Sequence, residues 1–403
     1  MKDSKDIISI PKFSERILLS NSIAIKKRIE YLSKIDYKVY AHLKPKWIEN
    51  NLIFTIIILV YNANKVYIEE SINSALSQTY VNTEIIIIDN GTTGDLSNRL
   101  ESIFLSNSCI KLIKIKESLY NPLLNDFLDP IPNFWNAGLF CSVGEYVYFL
   151  SYDDRLSDDY VYKMMNLFNS NNTCLSAAPL VVSINEEGFI NEKISDNLAK
   201  INCRTKYTDG LLLAKSIINK GDLIGAPGGY LAQQSNNVLK YGGFDKFNDI
   251  TQIIKIGIHG VSGYDPTAIL YWRHHSQQAN KIQKQMGLVY YKEFIEFFDQ
   301  YDIYAMHEKC FGADFAEEFN KYIHQVAEDG AIYSLVDSCK YGFSSGYMAF
   351  KRILIECPPK TIIKVFYRAF LNYNDEKFGY VINKLRHVFH FLKTLHKPNI
   401  AKL

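Results

Sequence analysis

Residues 53–62 read IFTIIILVYN. Bulky β-branched residues follow one another without polar alternation, so a strand built from them has both faces covered. Ten residues fall far short of the roughly 20 needed to cross a bilayer, so the run is a core strand. It stops on Tyr61 and Asn62, and KVYIEESINSALSQTY (65–80) follows with helical periodicity. The texture then repeats. TEIIIIDNG (83–91) is a second buried strand ending in a turn, and GDLSNRLESIFLS (94–106) is helical. CIKLIKIKES (109–118) is strand-like, NFWNAGLFCSV (133–143) helical, and EYVYFLS (145–151) a further strand. Strands alternating with helices give βαβ units and a mostly parallel sheet, an α/β fold. Ligands of such sheets bind beyond the carboxyl ends of the strands. Those ends are Tyr61-Asn62, Asp89-Asn90-Gly91 and Ser151 to Asp154.

The last of these clusters ends a buried aromatic run on two adjacent acids, Asp153 and Asp154. Acids cap helices, and a helix starts near Ser157. A carboxylate at a sheet's carboxyl edge is also where a divalent cation and a phosphate meet. Asp158 and Asp159 sit where a helix N-terminus favours acids.

The chain has 403 residues, 47% hydrophobic and 22% charged, which suits a globular protein with a substantial core. A net charge of +2 supplies no field for nucleic acid. Seven cysteines are scattered singly, with no CxxC pair, as in a reducing compartment rather than a disulfide framework. The opening MKDSKDIISIPKFSERILLS lacks the apolar core of a signal peptide, so a cytoplasmic location is expected.

Residues 1–50 are expected to form an N-terminal helical extension, because SERILLSNSIAIKKRIEYLSKI spaces Ile and Leu at helical intervals. Residues 51–280 form the α/β domain, in two halves at 51–155 and 156–280, and from about 174 to 280 the pattern is less regular. From 281 to 403 the chain is helical again, interrupted by CPPK at 357–360. After Glu376 it has no acid but carries Lys377, Lys384, Arg386, Lys393, Lys397 and Lys402 among apolar residues. That pattern suits either a basic amphipathic helix at an anionic membrane surface or a packed helix with a solvated basic face.

The order of the clusters resembles the family 2 glycosyltransferases of the GT-A fold. FTIIILVYNANKVYIEESINSALSQTY resembles that family's opening strand, turn and helix. EIIIIDNGTTGD and NFWNAGLFCSVGEYVYFLSYDD resemble its next two segments, and GGFD and WRHHSQQAN its later ones. The resemblance covers residues 52–280 and implies that 51–155 is the nucleotide-binding half and 156–280 the acceptor-side half. It implies inverting transfer of a sugar, hexosyl or N-acetylhexosaminyl, from a nucleotide-diphosphate donor, most readily a UDP-sugar. It also implies a divalent cation, Mn²⁺ or Mg²⁺, and a glycan or lipid-linked acceptor in lipopolysaccharide, capsule or other polysaccharide synthesis.

The resemblance assigns roles residue by residue. Asp89 contacts the donor base, while Val60, Tyr61 and Asn62 line base and ribose. Asn136 and Gly138 match an N-x-G at the donor. Asp153 is the principal metal ligand, and Asp154 is the acid that follows it. Ser151 stands where the family has an aspartate, so the chain reads S-Y-D through Tyr152, and the serine is a hydrogen-bonding group rather than a direct ligand. Asp249 fits the spacing of the catalytic base, with Asp245 of the G-G-F-D turn behind it. Asn248 replaces the acid that usually precedes the base. His275 matches the R-x-H histidine and completes the metal shell or contacts the diphosphate. Arg273 neutralises diphosphate charge, and His274 is of second rank. Gly228 and Gly229 in GAPGGY allow an acceptor close to the backbone.

Two other functions fit parts of the pattern. A nucleotidyltransferase also joins an α/β sheet to carboxylates and a metal, but the turn after its first strand is Gly-rich with Lys or Arg, and here it reads VYNANK. A non-catalytic glycosyltransferase-like module that binds nucleotide or glycan is compatible with Ser151 and Asn248.

Overall fold

The computed structural model describes residues 7–9, 23–42, 47–49, 51–61, 64–116, 130–202, 205–214, 231–245, 252–253, 255–276, 278, 291–300, 308–309 and 311–371. The chain forms two compact units, Met1–His275 and Ser276–Leu403.

Among the described residues, the first unit is built on a mixed sheet of eleven strands. In chain order its elements are β1 (Ile7–Ser9), α1 (Ile23–Ser33), β2 (Tyr37–His42), β3 (Phe54–Val60), α2 (Lys65–Leu76), β4 (Thr83–Asn90), α3 (Gly94–Ser106), β5 (Ile110–Ile115), α4 (Pro130–Cys141), β6 (Tyr146–Ser151), β7 (Arg155–Leu156), α5 (Tyr160–Ser170), β8 (Cys174–Ile184), α6 (Glu192–Asn202), β9 (Tyr207–Asp209), β10 (Ala232–Gln234) and β11 (Val261–Arg273). The strand order is β1-β2-β5-β4-β3-β6-β10-β8-β11-β7, with β9 paired to β11.

At its centre, β5, β4, β3 and β6 run parallel. Every residue of β3 and of β4 is buried, which is why neither segment alternates in sequence. One face packs Ile56, Ile58, Ile85 and Ile87 against α2, α3 and α5. The other packs Ile57, Ile86 and Ile88 with Phe134 and Phe140 of α4 and Ile25 of α1. Each buried isoleucine contributes on the order of 2 kcal/mol, so the central strands fix one register firmly. Gly138 of α4 allows that helix to lie close to the sheet. A Cβ there would come within 2.7 Å of the Ile57 Cγ2 and 3.1 Å of the Ile88 Cδ1.

Two expectations are corrected. The N-terminal region is not a helical extension alone. Helix α1 lies within the expected segment, but β2 follows it and pairs antiparallel with β5, and β1 pairs with β2. The reason is the period-two pattern of YKVYAH, whose Tyr37, Val39 and Ala41 point inward. The irregular stretch from 174 onward contains two long strands, β8 and β11, which run parallel to each other. Pro179 and Pro266 and two register shifts interrupt them, which hides the strand signature from a periodicity reading.

The described residues of the second unit are helical. Helices Tyr291–Gln300, Ala313–Lys340, Phe343–Glu356 and Pro359–Leu371 bury Phe298, Phe319, Leu335, Ile353 and Val365. The CPPK break is a real boundary: Cys357 is extended and Pro359 opens the next helix. Among the described residues, no helix is long and apolar enough to cross a membrane. The basic segment from Lys377 onward lies outside the described residues.

Gly138→Val tests the helix-to-sheet contact. The added branches meet Ile57 next to its Cβ, where the side chain has little freedom to give way. Overpacking of this kind costs about 1–3 kcal/mol. Denaturant unfolding should show that loss with an unchanged slope, and an unchanged midpoint would refute the contact.

Candidate active site

The register of the central strands brings two acids to one edge. Val60, the last residue of β3, lies opposite Asp89, and Leu59 lies opposite Ser151. Asp89 and the turn after Ser151 therefore flank the end of β3. Asp89 is buried, and its Oδ1 accepts from the Thr92 backbone N–H at 2.9 Å and the Thr92 hydroxyl at 2.6 Å. The turn between them passes through Gly91 in the left-handed region, at φ 69°. Burial raises the Asp89 pKa, and the Thr92 hydrogen bonds and Lys114 counter that rise.

A second convergence comes from the pairing of β7 with β11. Leu156 faces Leu270 and Arg155 faces Tyr271. Continuing that antiparallel register places Asp153 opposite Arg273 and brings His275 into reach. The Asp153 carboxylate is held at both oxygens. The Ser151 hydroxyl donates to Oδ1, and His275 Nε2 lies 2.8 Å from Oδ2. Ser151 thus acts directly on the acid two residues ahead. The Tyr67 ring of α2 packs against the His275 ring at 5.1 Å and lies 4.5 Å from the Arg273 guanidinium carbon.

Asp154 lies deeper. Its Oδ1 accepts from the Arg273 backbone N–H at 2.9 Å. Burial pushes its carboxyl well above the ordinary carboxylate range, the neighbouring Asp153 charge adds to this, and Arg273 opposes it. The two adjacent acids therefore divide their work. Asp153 reaches the surface of the site, and Asp154 anchors the end of β11 from behind.

Arg273 does not present its guanidinium to a diphosphate in this structure. The side chain is fully buried. Its Nε donates to the Asp153 carbonyl at 2.9 Å. One terminal nitrogen donates to the Asn185 and Glu186 carbonyls at 3.3 and 2.8 Å, and the other pairs with Glu70. Four contacts to protein acceptors make it a positioning residue for the Asp153 turn.

Other expected residues also have structural partners. The Asn136 side chain accepts from the Phe244 N–H at 2.9 Å and donates to the Phe244 and Pro132 carbonyls at 2.7 Å. It joins α4 to the G-G-F-D turn, and Gly138 packs on the sheet, so neither faces Asp153. Val60 is fully buried in the core that packs on α2, which leaves only its backbone to line a ligand. Tyr61 is half-buried at the strand end, and Tyr152 is half-buried against the same core. Asp245 forms a buried ion pair with Lys255 at 2.7 Å, so it holds its own turn. The His274 backbone N–H donates to Ile184, and its ring packs on Trp272 at 3.9 Å, away from its neighbour's partners. Asn62, Gly228, Gly229, Asn248 and Asp249 lie outside the described residues.

Sequence reasoning missed one face of α2. Ser71, Ser74 and Gln78 recur at i, i+3 and i+7, a single stripe along and just beyond that helix. The Ser71 hydroxyl donates to the Ser151 carbonyl at 3.0 Å, and the Ser74 hydroxyl accepts from the Leu156 N–H at 3.2 Å. Gln78 donates to the Ser157 carbonyl at 2.8 Å and accepts from the Val161 N–H at 2.9 Å. The ESINSALSQ spacing carried that signal: polar residues on the face of a helix that should be apolar need buried backbone partners.

Among the described residues, no three His, Cys, Asp or Glu side chains cluster closely enough to enclose a metal. Asp153 and His275 nevertheless offer one oxygen and one nitrogen side by side. That pair fits a divalent cation whose remaining positions come from water and substrate phosphates.

Residues 55–120, from β3 past the end of β5, match the family model described as "Glycosyl transferase family 2". An uncharacterized glycosyltransferase of Haemophilus influenzae is 33% identical over 123 residues, 30% of this chain and 35% of that protein. A second from the same organism is 32% identical over 127 residues, 32% of this chain and 46% of the relative. An uncharacterized glycosyltransferase of Rickettsia conorii is 30% identical over 180 residues, 45% of this chain and 26% of that one. The matches thus span less than half the length of these relatives. S. aureus TarS 1-349 in complex with UDP-GlcNAc is a structural neighbour with TM-score 0.49 at 13% identity, covering 79% of this chain and 90% of that one.

The raised Asp154 pKa has a stability consequence. In the folded state Asp154 keeps its proton above about pH 4, where an unfolded aspartate loses it. The folded state then binds more protons, so this group lowers stability as pH rises from about 4 through its folded pKa. Asp154→Asn removes the titrating group and keeps an oxygen for Arg273. Urea unfolding at pH 4, 5.5 and 7 should show the variant gaining on the wild type with rising pH. A constant difference would contradict the assignment.

Proposed function

We propose that this chain, whose residues 55–120 match the family 2 glycosyltransferase model, is a glycosyltransferase of that family and moves a sugar from a nucleoside-diphosphate donor, a UDP-sugar, to a hydroxyl of a glycan or lipid-linked acceptor, with inversion at the anomeric carbon. The observation that carries this reading is the Asp153 carboxylate at the carboxyl end of β6, held by Ser151 and His275 and set across the end of β3 from Asp89. The polysaccharide built is a surface glycan of the lipopolysaccharide or capsule kind, made on the cytoplasmic side. The basic segment after Glu376 supports contact with an anionic membrane where a lipid-linked acceptor resides.

Both Asp89 hydrogen bonds use Oδ1, so Oδ2 is the oxygen offered to the N3–H of a pyrimidine. Tyr61 and Asn62 border the base and ribose. Asp153 and His275 would hold Mn²⁺ or Mg²⁺, and Ser151 orients the Asp153 carboxylate. A bound divalent cation supplies Lewis-acid stabilisation of charge developing on the leaving diphosphate. Arg273 acts one step back: it grips the Asp153 carbonyl and keeps β11 and His275 in register with the acid turn. Asp249 is the base. Its carboxylate takes the proton of the acceptor hydroxyl as that oxygen bonds the anomeric carbon, while the bond to the diphosphate oxygen breaks on the opposite face.

Calorimetric titration with UDP, with and without Mn²⁺, tests the donor site. The expected result is metal-dependent binding that Asp153→Ala weakens at least tenfold. Metal-independent binding, or binding unaffected by that substitution, would remove Asp153 from the site.

Asp249→Asn addresses the base separately. A general base contributes about 10²–10⁴-fold to rate. UDP affinity should be retained while sugar transfer falls by at least 10²-fold, and turnover near the wild-type value would reject Asp249.

A further inference from the structure

An open cleft of about 790 Å³ lies beside the Asp153 turn, between α2 and the β7 strand with the residues that follow it. Its volume falls within the range of ligand sites. Neither Asp89 nor Asp153 lines it. A shared wall separates it from the acid cluster: Glu70 pairs with Arg273 on one side and stands 3.7 Å from Arg155 on the other.

We propose that this cleft is a second carbohydrate site that binds a neutral saccharide. Glu70 is paired with Arg273 and faces Arg155, and Asp159 is paired with Lys163, so the lining carries little unpaired charge beyond Asp158 and suits a neutral ligand better than a nucleoside diphosphate. The lining instead mixes donors, acceptors and an aromatic surface, which matches a pyranose, whose hydroxyls both donate and accept and whose ring faces are apolar. Among the described residues, the Asn73 amide, Ser77 hydroxyl, Asp158 carboxylate and Tyr271 hydroxyl find no hydrogen-bond partner. The Arg155 Nε is enclosed without a partner, although its guanidinium lies 5.3 Å from the Tyr271 ring centroid. A donor such as the Arg155 Nε costs free energy when shut away from water, so a hydroxyl ligand that reaches it has a favourable exchange to make, while the exposed Asn73, Ser77 and Asp158 are open to further hydrogen bonds. At the rim, Ile190 is 58% exposed and its neighbour Phe189 is 72% exposed, an apolar edge for a second sugar ring.

Such a cleft would hold a more distant residue of the acceptor chain while its end reaches the donor. That role rests on the glycosyltransferase reading, whereas saccharide binding does not. Saturation-transfer NMR on the full chain, with a panel of neutral hexose and N-acetylhexosamine di- and trisaccharides, tests the site. At least one saccharide should show transfer. Asn73→Ala and Asp158→Asn, both away from the core, should each weaken it about fivefold, the effect of one lost hydrogen bond. Tyr271→Ala should abolish it. All three variants should titrate UDP as the wild type does.

If no saccharide of the panel binds, or if binding persists unchanged in Asn73→Ala and Asp158→Asn, the cleft is not a carbohydrate site. UDP binding without saccharide binding overturns this inference alone. Saccharide binding without UDP binding overturns the donor assignment alone.

Discussion

A guanidinium with no access to water sits behind the site, and the geometry of the acid turn depends on it. Removing the charge of Arg273 from solvent is costly unless every donor finds an acceptor. Here it does so by drawing together parts of the chain that are distant in sequence: the Asp153 carbonyl, the carbonyls of Asn185 and Glu186, and the Glu70 carboxylate. Those acceptors come from the β7 turn, the loop after β8 and the middle of α2. His275 is two residues further on, so the Arg273 contacts also set where the imidazole meets Asp153. A side chain expected to neutralise phosphate thus holds the framework in which a phosphate-binding group can be placed.

The same framework explains the polar stripe on α2. A loop that leaves a buried strand and turns on two acids exposes several backbone groups to a dry environment, and each needs a partner. Ser71, Ser74 and Gln78 supply them from outside the loop. Asp154 is buried for a related reason. Its carboxyl caps the Arg273 N–H at the end of β11, a place no ladder bond can satisfy. The acid turn is therefore held from α2, from β11 and from its own serine.

How much of this was legible depended on whether a signal was local. The parallel core could be read because β3 and β4 are buried on both faces and so appear as uninterrupted isoleucine runs. The strand ends could be read as well, which located Asp89, Ser151 and Asp153. Asn136 could not be placed correctly, because its partner Phe244 is 108 residues away and nothing near it in sequence shows that its amide is consumed. Arg273 failed for the same reason, with its acceptors spread over three segments. The N-terminal strands were obscured differently. Helix α1 dominates the periodicity there, and β2 is six residues long. Strands β8 and β11 carry prolines and register shifts that local patterning cannot bridge.

Ser151 shows how one substitution is absorbed by its surroundings. An aspartate there would place a second carboxylate beside Asp153 Oδ1, with Asp154 buried immediately behind, and three acids would repel one another in a poorly solvated turn. The serine hydroxyl donates to Asp153 instead, so the turn carries one fewer charge and one more hydrogen bond. With the Asp154 carboxyl pushed toward its neutral form, Asp153 is the main negative charge at the mouth of the site. A single carboxylate and an imidazole form a weak cation site by themselves. Under the proposed chemistry the missing negative charge would come from the donor diphosphate, so cation and donor would bind as a pair. The departure from the two-aspartate pattern thus favours a site assembled with its substrate, and the preorganised hydrogen bonds to Asp153 are what keep its remaining carboxylate oriented for that event.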